Sequence, residues 1–544
     1  MPIATGVVAG VAASGINGVI FYAWEIFYQD ALKTPTLFFI FPFTGLVLSY
    51  FLVHLLAWYR TPKSSFHMIL EVFHLTPSGM MPREAIVKTA SGVATSIFGG
   101  SAGPEGPSMV ISGGFSSWLN KILRLRMDSG KALMIGVAAG FSASFKTPLT
   151  GLLFALELPY RRDLEKESFI EAAIASSTAY LVSVALGAPS LVPNLQLDIP
   201  ALPLIWLPIA MGFGLATGGI VFVFTSAYAA CERLAKQIIV MGGYPLMLLV
   251  GGFVLGTIGY FVPEAVGPGF QMVPLLTGGS LIALGVVLLL RTVATGVTMN
   301  FGGTGGLFLP TLLLGGAWGA IVGTVLLPAM TPVFILMGMA AFSAGVHKMM
   351  LTPIIFMAEV FGAHTIIPII LATVVCFFVS GAYSFYPIQP TNKVSHEELA
   401  LERFYYKVMR SKPKELEKLT AEDISTKNPL ELEAGLSVRE AMDAFGKTSF
   451  RVMPVVDPEE HVIGYVTLED LAFLSKTMLD TPLSTIELHP PIVFREEESV
   501  MKVIEEMIER KEDHCFVVDG DKKLTGIIST IDVTRLLMRY YTQI

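Results

Sequence analysis

The sequence predicts a polytopic all-α membrane domain with an internal, inverted repeat and broken helices, followed by a smaller tandem α/β module. Three observations carry this reading. The chain of 544 residues is 53% apolar and only 15% charged, against about 25% charged in a soluble globular protein. No Asp, Glu, Lys or Arg occurs from Thr292 to His347, from Ala201 to Cys231 or from Gln237 to Pro263, and each run is long enough for a bilayer span of roughly 20 apolar residues. Finally, sequence blocks recur at fixed offsets in both halves.

The amino terminus, "MPIATGVVAG", has no basic region or cleavage site and reads as the start of the first membrane helix. Ten or more hydrophobic segments follow, many cut by Gly and Pro. "GGSAGPEGPSMVISGG" (99–114) aligns with "GGTGGLFLPTLLLGGA" (302–317), and "KTPLTGLLFALE" (146–157) with "KMMLTPIIFMAE" (348–359). Internal duplication of this kind marks secondary transporter folds, where the site lies on broken helices between the halves.

Composition changes near Asn392. The expected divisions are a membrane domain over 1–392, a charged linker over 393–418 and two modules over 419–478 and 479–544. Arg403, Lys407, Arg410, Lys412 and Lys414 follow the last span and place this end in the cytoplasm by the positive-inside rule. "MPVVDPEEHVIGYVTLEDL" (453–471) aligns with "CFVVDGDKKLTGIISTIDV" (515–533), each reading as strand, acidic turn, strand and helix. Cys231, Cys376 and Cys515 have neither metal nor redox spacing. The net charge of −7 argues against a nucleic-acid binder.

The glycine-rich blocks carry the chemistry. Non-helical backbone survives in a bilayer only where it is buried in protein or lines a polar cavity. Pro107 and Pro310 suit first helical positions, so each block should aim a helix N-terminus, with unpaired N–H groups and a positive dipole end, at the middle. Two such ends make an anion site without a fixed cation. Glu105 then stands where an anion would sit. It would occupy the site as a carboxylate and yield it when protonated, as a gate or proton carrier; the plainer reading is a loop carboxylate favoured by the helix dipole.

"GPEGP" resembles the G-(K/R)-E-G-P signature of the CLC chloride channels and proton/chloride antiporters, and "GGLFLP" their G-x-F-x-P signature. The resemblance covers roughly residues 5–390. It extends into the tail, since many CLC proteins carry paired CBS modules there. It implies Glu105 as the gating glutamate and Gly106, Leu307 and Phe308 in the anion cradle, the last two through their backbone N–H groups. Tyr386 would be the hydroxyl ligand, and Ser64, in "KSSFH", the central serine. The usual G-S-G-I-P is absent, which leaves anion selectivity open; a Ser in a short polar stretch is otherwise a turn or cap residue. Pro104 replaces the signature's basic residue, so a weaker external anion site is expected. Leu158 takes the place of the inner proton glutamate of many antiporters, which tips the expectation slightly toward a channel, with the antiporter as alternative.

The tail modules resemble CBS domains, whose G-h-h-(S/T)-x-x-D stretch contacts an adenine nucleotide. Here Thr467 with Asp470 and Ser529 with Asp532 would contact ATP, ADP or AMP, or else cap helices. The resemblance implies a homodimer in the plasma membrane that moves chloride, with nitrate and protons as further candidates. A CBS-regulated cation transporter would need several intramembrane carboxylates, yet Arg291 and Lys348 are the only charged residues of 265–358. An intramembrane enzyme would need a nucleophile–base pair or a metal cluster; His54, His67, His74, His347 and His364 show no such spacing, and no enzymatic activity, metal or obligatory cofactor is expected.

Overall fold

Glycine and proline cut the first part of the chain into fifteen α-helices among the described residues. The computed structural model describes residues 1–57, 63–76, 79–125, 127–191, 206–362, 365–381, 385–393, 405, 416–448, 450–472, 478–486, 488–510 and 512–541. The linker's basic cluster and His364 lie outside the described residues. Two units are present, Met1–Lys393 and Val394–Ile544.

The first unit opens with α1 (Pro2–Lys33), α2 (Leu37–Leu56), α3 (Ser65–Leu75), α4 (Pro82–Ile97) and α5 (Glu105–Ile122). Then come α6 (Ser129–Phe145), α7 (Pro148–Glu157), α8 (Phe169–Ala185) and α9 (Trp206–Phe261). The unit continues through α10 (Val273–Gly278), α11 (Leu281–Asn300), α12 (Phe308–Leu326), α13 (Thr331–His347), α14 (Leu351–Phe361) and α15 (Ile366–Val379). Seven helices among the described residues are long and apolar enough to cross a membrane, and α7, α14 and α15 are shorter apolar helices. The 56-residue α9 is two helices broken at Gly243, whose φ of 71° is helix-breaking, with Pro245 just beyond. These pieces account for the ten or more segments expected. Outward faces are apolar, as a lipid-facing surface requires: Leu55, Phe222, Phe253 and Ile282 are all exposed.

The repeat is visible in the backbone. Gly99 and Gly302 both have positive φ, 91° and 105°, and so do Lys146 and Lys348, 58° and 56°. α5 and α12 start at equivalent residues, Glu105 and Phe308, two residues ahead of the expected Pro107 and Pro310. Each proline therefore sits third in its helix, still in the first turn, where no intrahelical N–H is lost.

The two copies exchange contacts reciprocally. Glu157, ending α7, accepts from the amides of Met350, Leu351 and Thr352 and from the Thr352 hydroxyl at the start of α14. Glu359, in the last turn of α14, accepts from the amides of Leu149 and Thr150 and from the Thr150 hydroxyl at the start of α7. Each carboxylate caps the other copy's helix, so α7 and α14 run antiparallel about a two-fold axis perpendicular to them. That axis inverts one repeat relative to the other, as expected.

The second unit holds two α/β layers. In the first module, β2 (Leu432–Glu433) pairs parallel with β3 (Val452–Val456), which pairs antiparallel with β4 (Val462–Thr467). In the second, β5 (Val493–Arg495), β6 (His514–Val518) and β7 (Leu524–Ser529) repeat that arrangement, and β1 (Thr426–Lys427) adds to the edge of β7. The amphipathic helices Val438–Gly446 and Val500–Arg510 bury Val438, Ala441 and Phe445, and Val500, Val503, Ile504 and Met507. The first begins with Ser437 and Glu440 as a capping box.

Candidate anion site

The site is assembled where the two glycine-rich loops meet. Gly103 and Gly306 exchange both backbone hydrogen bonds at 2.9 Å, a two-residue antiparallel bridge. Flanking it, the Ser101 amide donates to Thr298 Oγ1 at 3.0 Å, and the Thr304 amide donates to Thr95 Oγ1 at 3.1 Å. Each loop's amide is thus satisfied by a threonine of the other repeat, which lets irregular backbone persist inside the bilayer.

Glu105 is the first residue of α5 and fully buried. Its side chain reaches the start of α12, where the Leu309 amide donates to Oε1 at 3.2 Å. Among the described residues Oε2 has no hydrogen-bond partner. The acid is therefore held by amides at the start of the other repeat's helix, Leu309 and Phe308, together with its own. Small residues leave room for the acid and for the facing loop. A Cβ on Gly103 or Gly306 would collide with the carboxylate, and one on Gly106 would run into the Gly306 amide.

Leu307 is the N-cap and Phe308 the first residue of α12, so their N–H groups belong to the unpaired set at a helix start. Tyr386 is fully buried, and its hydroxyl interacts electrostatically with Glu105 across the site. That hydroxyl lies 2.7 Å from His347 Nδ1. Ser64 is the N-cap of α3: its Oγ lies 2.8 Å from His67 Nδ1 and accepts weakly, at 3.4 Å, from the His67 amide. The next residue turns toward the cradle, with the Ser65 amide donating to Gly305 O and its Oγ beside Gly106.

The structure brings Glu105, Gly106, Leu307 and Phe308 together at the bridge, links Tyr386 to them through His347 and Thr311, and joins Ser64 through its neighbour and His67. Three residues not singled out for the site also belong here: Thr311, His347 and His67. His347 Nε2 lies 2.9 Å from Thr311 Oγ1, and His67 stands edge-on to Tyr386 with ring centroids 4.7 Å apart. The repeat offset of 202 carries a signal for one of them, since it sets His347 against Phe145. Lys146 and Lys348, the first residues of the second pair of repeated blocks, are both left-handed caps of their helices. Lys348 donates inward, to Ser380 Oγ at 2.7 Å.

In the tail, the Thr467 amide and hydroxyl both donate to Asp470 Oδ2, at 2.8 and 2.6 Å. Ser529 and Asp532 repeat this at 3.0 and 2.6 Å. Both pairs are caps at helix starts. Burial pushes the Asp470 carboxyl up, but the Thr467 hydrogen bonds and His489, 3.0 Å away, outweigh it and hold the carboxyl below its ordinary value.

Residues 45–381 match the family model described as voltage gated chloride channel. The chain belongs to that family, the CLC proteins. Its first unit is a CLC-type anion transport domain, and residues 421–476 and 483–539 match the CBS domain. Among relatives, an uncharacterized protein of Methanocaldococcus jannaschii is 24% identical over 68% of this chain and 90% of its own. An H(+)/Cl(-) exchange transporter ClcA of Vibrio vulnificus is 27% identical over 62% and 75%. Among solved structures, a CLC-type fluoride/proton antiporter (22% identity, TM-score 0.63) covers 72% of this chain and is itself covered to 97%. A eukaryotic CLC transporter (16%, TM-score 0.61) covers 98% of this chain and is covered to 97%.

Proposed function

We propose that this chain is a proton-coupled antiporter that exchanges chloride for protons, multi-pass in the cell membrane and homodimeric, rather than an enzyme. The observation that carries the reading is the Glu105 carboxylate seated on the α12 N-terminus, with Oε2 left without a partner among the described residues. A carboxylate with one oxygen left without a donor has a lone pair open to a proton. Once neutral it loses its hold on the helix dipole and yields the seat to an anion. Several relatives carry the name H(+)/Cl(-) exchange transporter, which supports the antiporter over the channel that Leu158 alone suggests.

The experiment is full-length protein in liposomes, with anion efflux and external pH recorded together. Chloride efflux that drives proton uptake is expected. In Glu105→Gln the coupling should vanish, a loss of ~100-fold or more in proton flux, as for removal of a proton-transfer group. Anion flux without proton movement in the wild type would make the protein a channel, and no anion flux at all would remove the transport reading. Nitrate in place of chloride tests selectivity.

The tail is proposed to be cytoplasmic, from the basic cluster after the last span, and to bind an adenine nucleotide (ATP, ADP or AMP). Calorimetry on the full chain tests this, with Asp470→Ala and Asp532→Ala as variants. Saturable heat in the wild type, weakened by either variant, is the expected result; no heat leaves the pair as helix caps.

A further inference from the structure

His347 is a titratable residue of the site with no part in the gating by Glu105. It ends α13 and is fully buried. Its ring lies between Phe308 (centroids 6.2 Å apart, planes at 29°) and Tyr386 (5.9 Å, 12°). Both ring nitrogens are engaged, Nδ1 with the Tyr386 hydroxyl at 2.7 Å and Nε2 with Thr311 Oγ1 at 2.9 Å. Thr311 Oγ1 is also within reach of the carbonyls of Leu307, at 3.0 Å, and Phe308, at 2.8 Å. These belong to the same helix turn whose Leu309 amide holds Glu105.

The chain of hydroxyl, imidazole and hydroxyl has two proton arrangements, because a neutral imidazole has one donor and one acceptor. When Thr311 donates to a carbonyl of its own helix, Nε2 carries the ring proton and Nδ1 receives the Tyr386 hydroxyl hydrogen. Tyr386 then turns an oxygen lone pair toward the centre, which an anion avoids. When Nδ1 carries a proton, it donates to the Tyr386 oxygen, and the tyrosine hydrogen is free to point at an anion. The ring's protonation therefore decides whether Tyr386 repels or binds the transported ion.

We propose that His347 is a proton-carrying residue of the transport cycle, and that its protonation turns the Tyr386 hydroxyl toward the anion. This rests on the proton-coupled reading above. In the step, the O–H bond of the protonated Glu105 breaks and that proton crosses to the Tyr386 oxygen. The tyrosine's own proton moves to His347 Nδ1. Glu105 is left as carboxylate and His347 as imidazolium, with Nε2–H donating to Thr311, so charge and protons balance with no other reactant. A buried imidazolium between aromatic rings is costly alone and eased by a nearby anion, which links proton and anion occupancy in one site.

The titratable groups around the ring leave this assignment room. Tyr386 is followed by Tyr228 of α9, and Glu105 faces from α5. His67 of α3 interacts with the His347 ring itself and with Lys63, Glu71 and Glu232. Of the helices packed on α13, the described residues of α10 and α12 carry no titratable group, α14 turns Glu359 to cap α7, and α15 sets Cys376 against Lys348.

The test uses the full chain in liposomes, comparing wild type, His347→Gln, His347→Phe (which copies Phe145 of the first repeat) and Thr311→Val. The expected result is a drop of ~10-fold or more in protons moved per anion for both His347 variants, the scale of losing one proton-transfer group. A smaller drop is expected for Thr311→Val, together with a flatter pH profile of anion efflux. A proton-to-anion ratio unchanged in the His347 variants overturns the proposal while a coupled wild type leaves the antiporter standing. A wild type that moves no protons overturns both. If the His347 variants fail to fold, Thr311→Val, which loses only a hydroxyl, decides: an unchanged ratio and pH profile overturns the role of His347.

Discussion

At the start of α5 the first repeat carries Glu105, whereas at the equivalent start of α12 the second carries Phe308. At the end of α6 the first carries Phe145, and at the matching end of α13 the second carries His347. Backbone features are shared across the repeat: the positive-φ glycines and lysines, the bridge at Gly103 and Gly306, and the crossed glutamate caps. The scaffold is symmetric but the side chains at equivalent positions are not: Glu105 comes from the first copy and His347 from the second. A symmetric frame can thus hold two proton sites of different character without two like charges meeting.

The largest test of this comparison attacks the shared frame. Gly106→Ala places a methyl against the Gly306 amide and Ser65 Oγ. Since backbone must move, the expected cost is about 3 kcal/mol, at the upper end of overpacking penalties. It should appear as a lowered melting temperature in detergent together with lost anion flux. A fully stable, active Gly106→Ala would mean the two loops are not held by their bridge.

The crossed caps come next, and they sharpen the comparison because their environments differ. Glu157 is buried and accepts from three amides and a hydroxyl, whereas Glu359 is half-buried and accepts from two amides and a hydroxyl. Removing a charged acceptor from a helix start costs about 1.5–3 kcal/mol, more when donors are left buried. Glu157→Ala should therefore melt lower than Glu359→Ala in the same detergent. Equal melting temperatures would show that burial does not distinguish the two caps.

Much of this was legible from sequence because duplication prints itself as offsets: Gly99 with Gly302, Pro107 with Pro310 and Glu157 with Glu359 all fall in the aligned blocks. Glu105 stood out as an acid among glycines. His347 did not, because a histidine ending an apolar run has no motif, and its meaning comes from Tyr386 and Thr311, 39 and 36 residues away in sequence. Ser64 shows the opposite limit. Its spacing put it at the site, but its hydroxyl is spent as a helix cap beside His67, a local competition that spacing does not reveal.

A smaller effect separates the lysine pair. Lys146 and Lys348 hold left-handed backbone, which costs a non-glycine residue about 1 kcal/mol. Lys146→Gly should raise stability by roughly that amount, less what its side chain contributes. Lys348→Gly should gain less or lose, since it also removes the hydrogen bonds to Ser380. Thermal melts of the two variants side by side measure the difference, and identical gains would show that the inward-turned lysine is dispensable.

The smallest effect lies in the tail, where two repeats again share a device and differ in its surroundings. Asp470 and Asp532 cap equivalent helices, but only Asp470 is also met by His489. Either change to Ala should cost about 1 kcal/mol, the usual loss of a cap. The Asp470 carboxyl is held below its ordinary value in the folded protein, so the unfolded chain binds its proton more readily. The stability it contributes is then present above the ordinary aspartate pKa of about 4 and is lost as pH falls through the lower folded value. Followed by circular dichroism between pH 6 and 3, the penalty of Asp470→Ala should shrink toward zero at the acid end. A penalty that stays constant across that range would mean the carboxylate contributes nothing as a charge, and that the Thr467 hydroxyl caps the helix unaided.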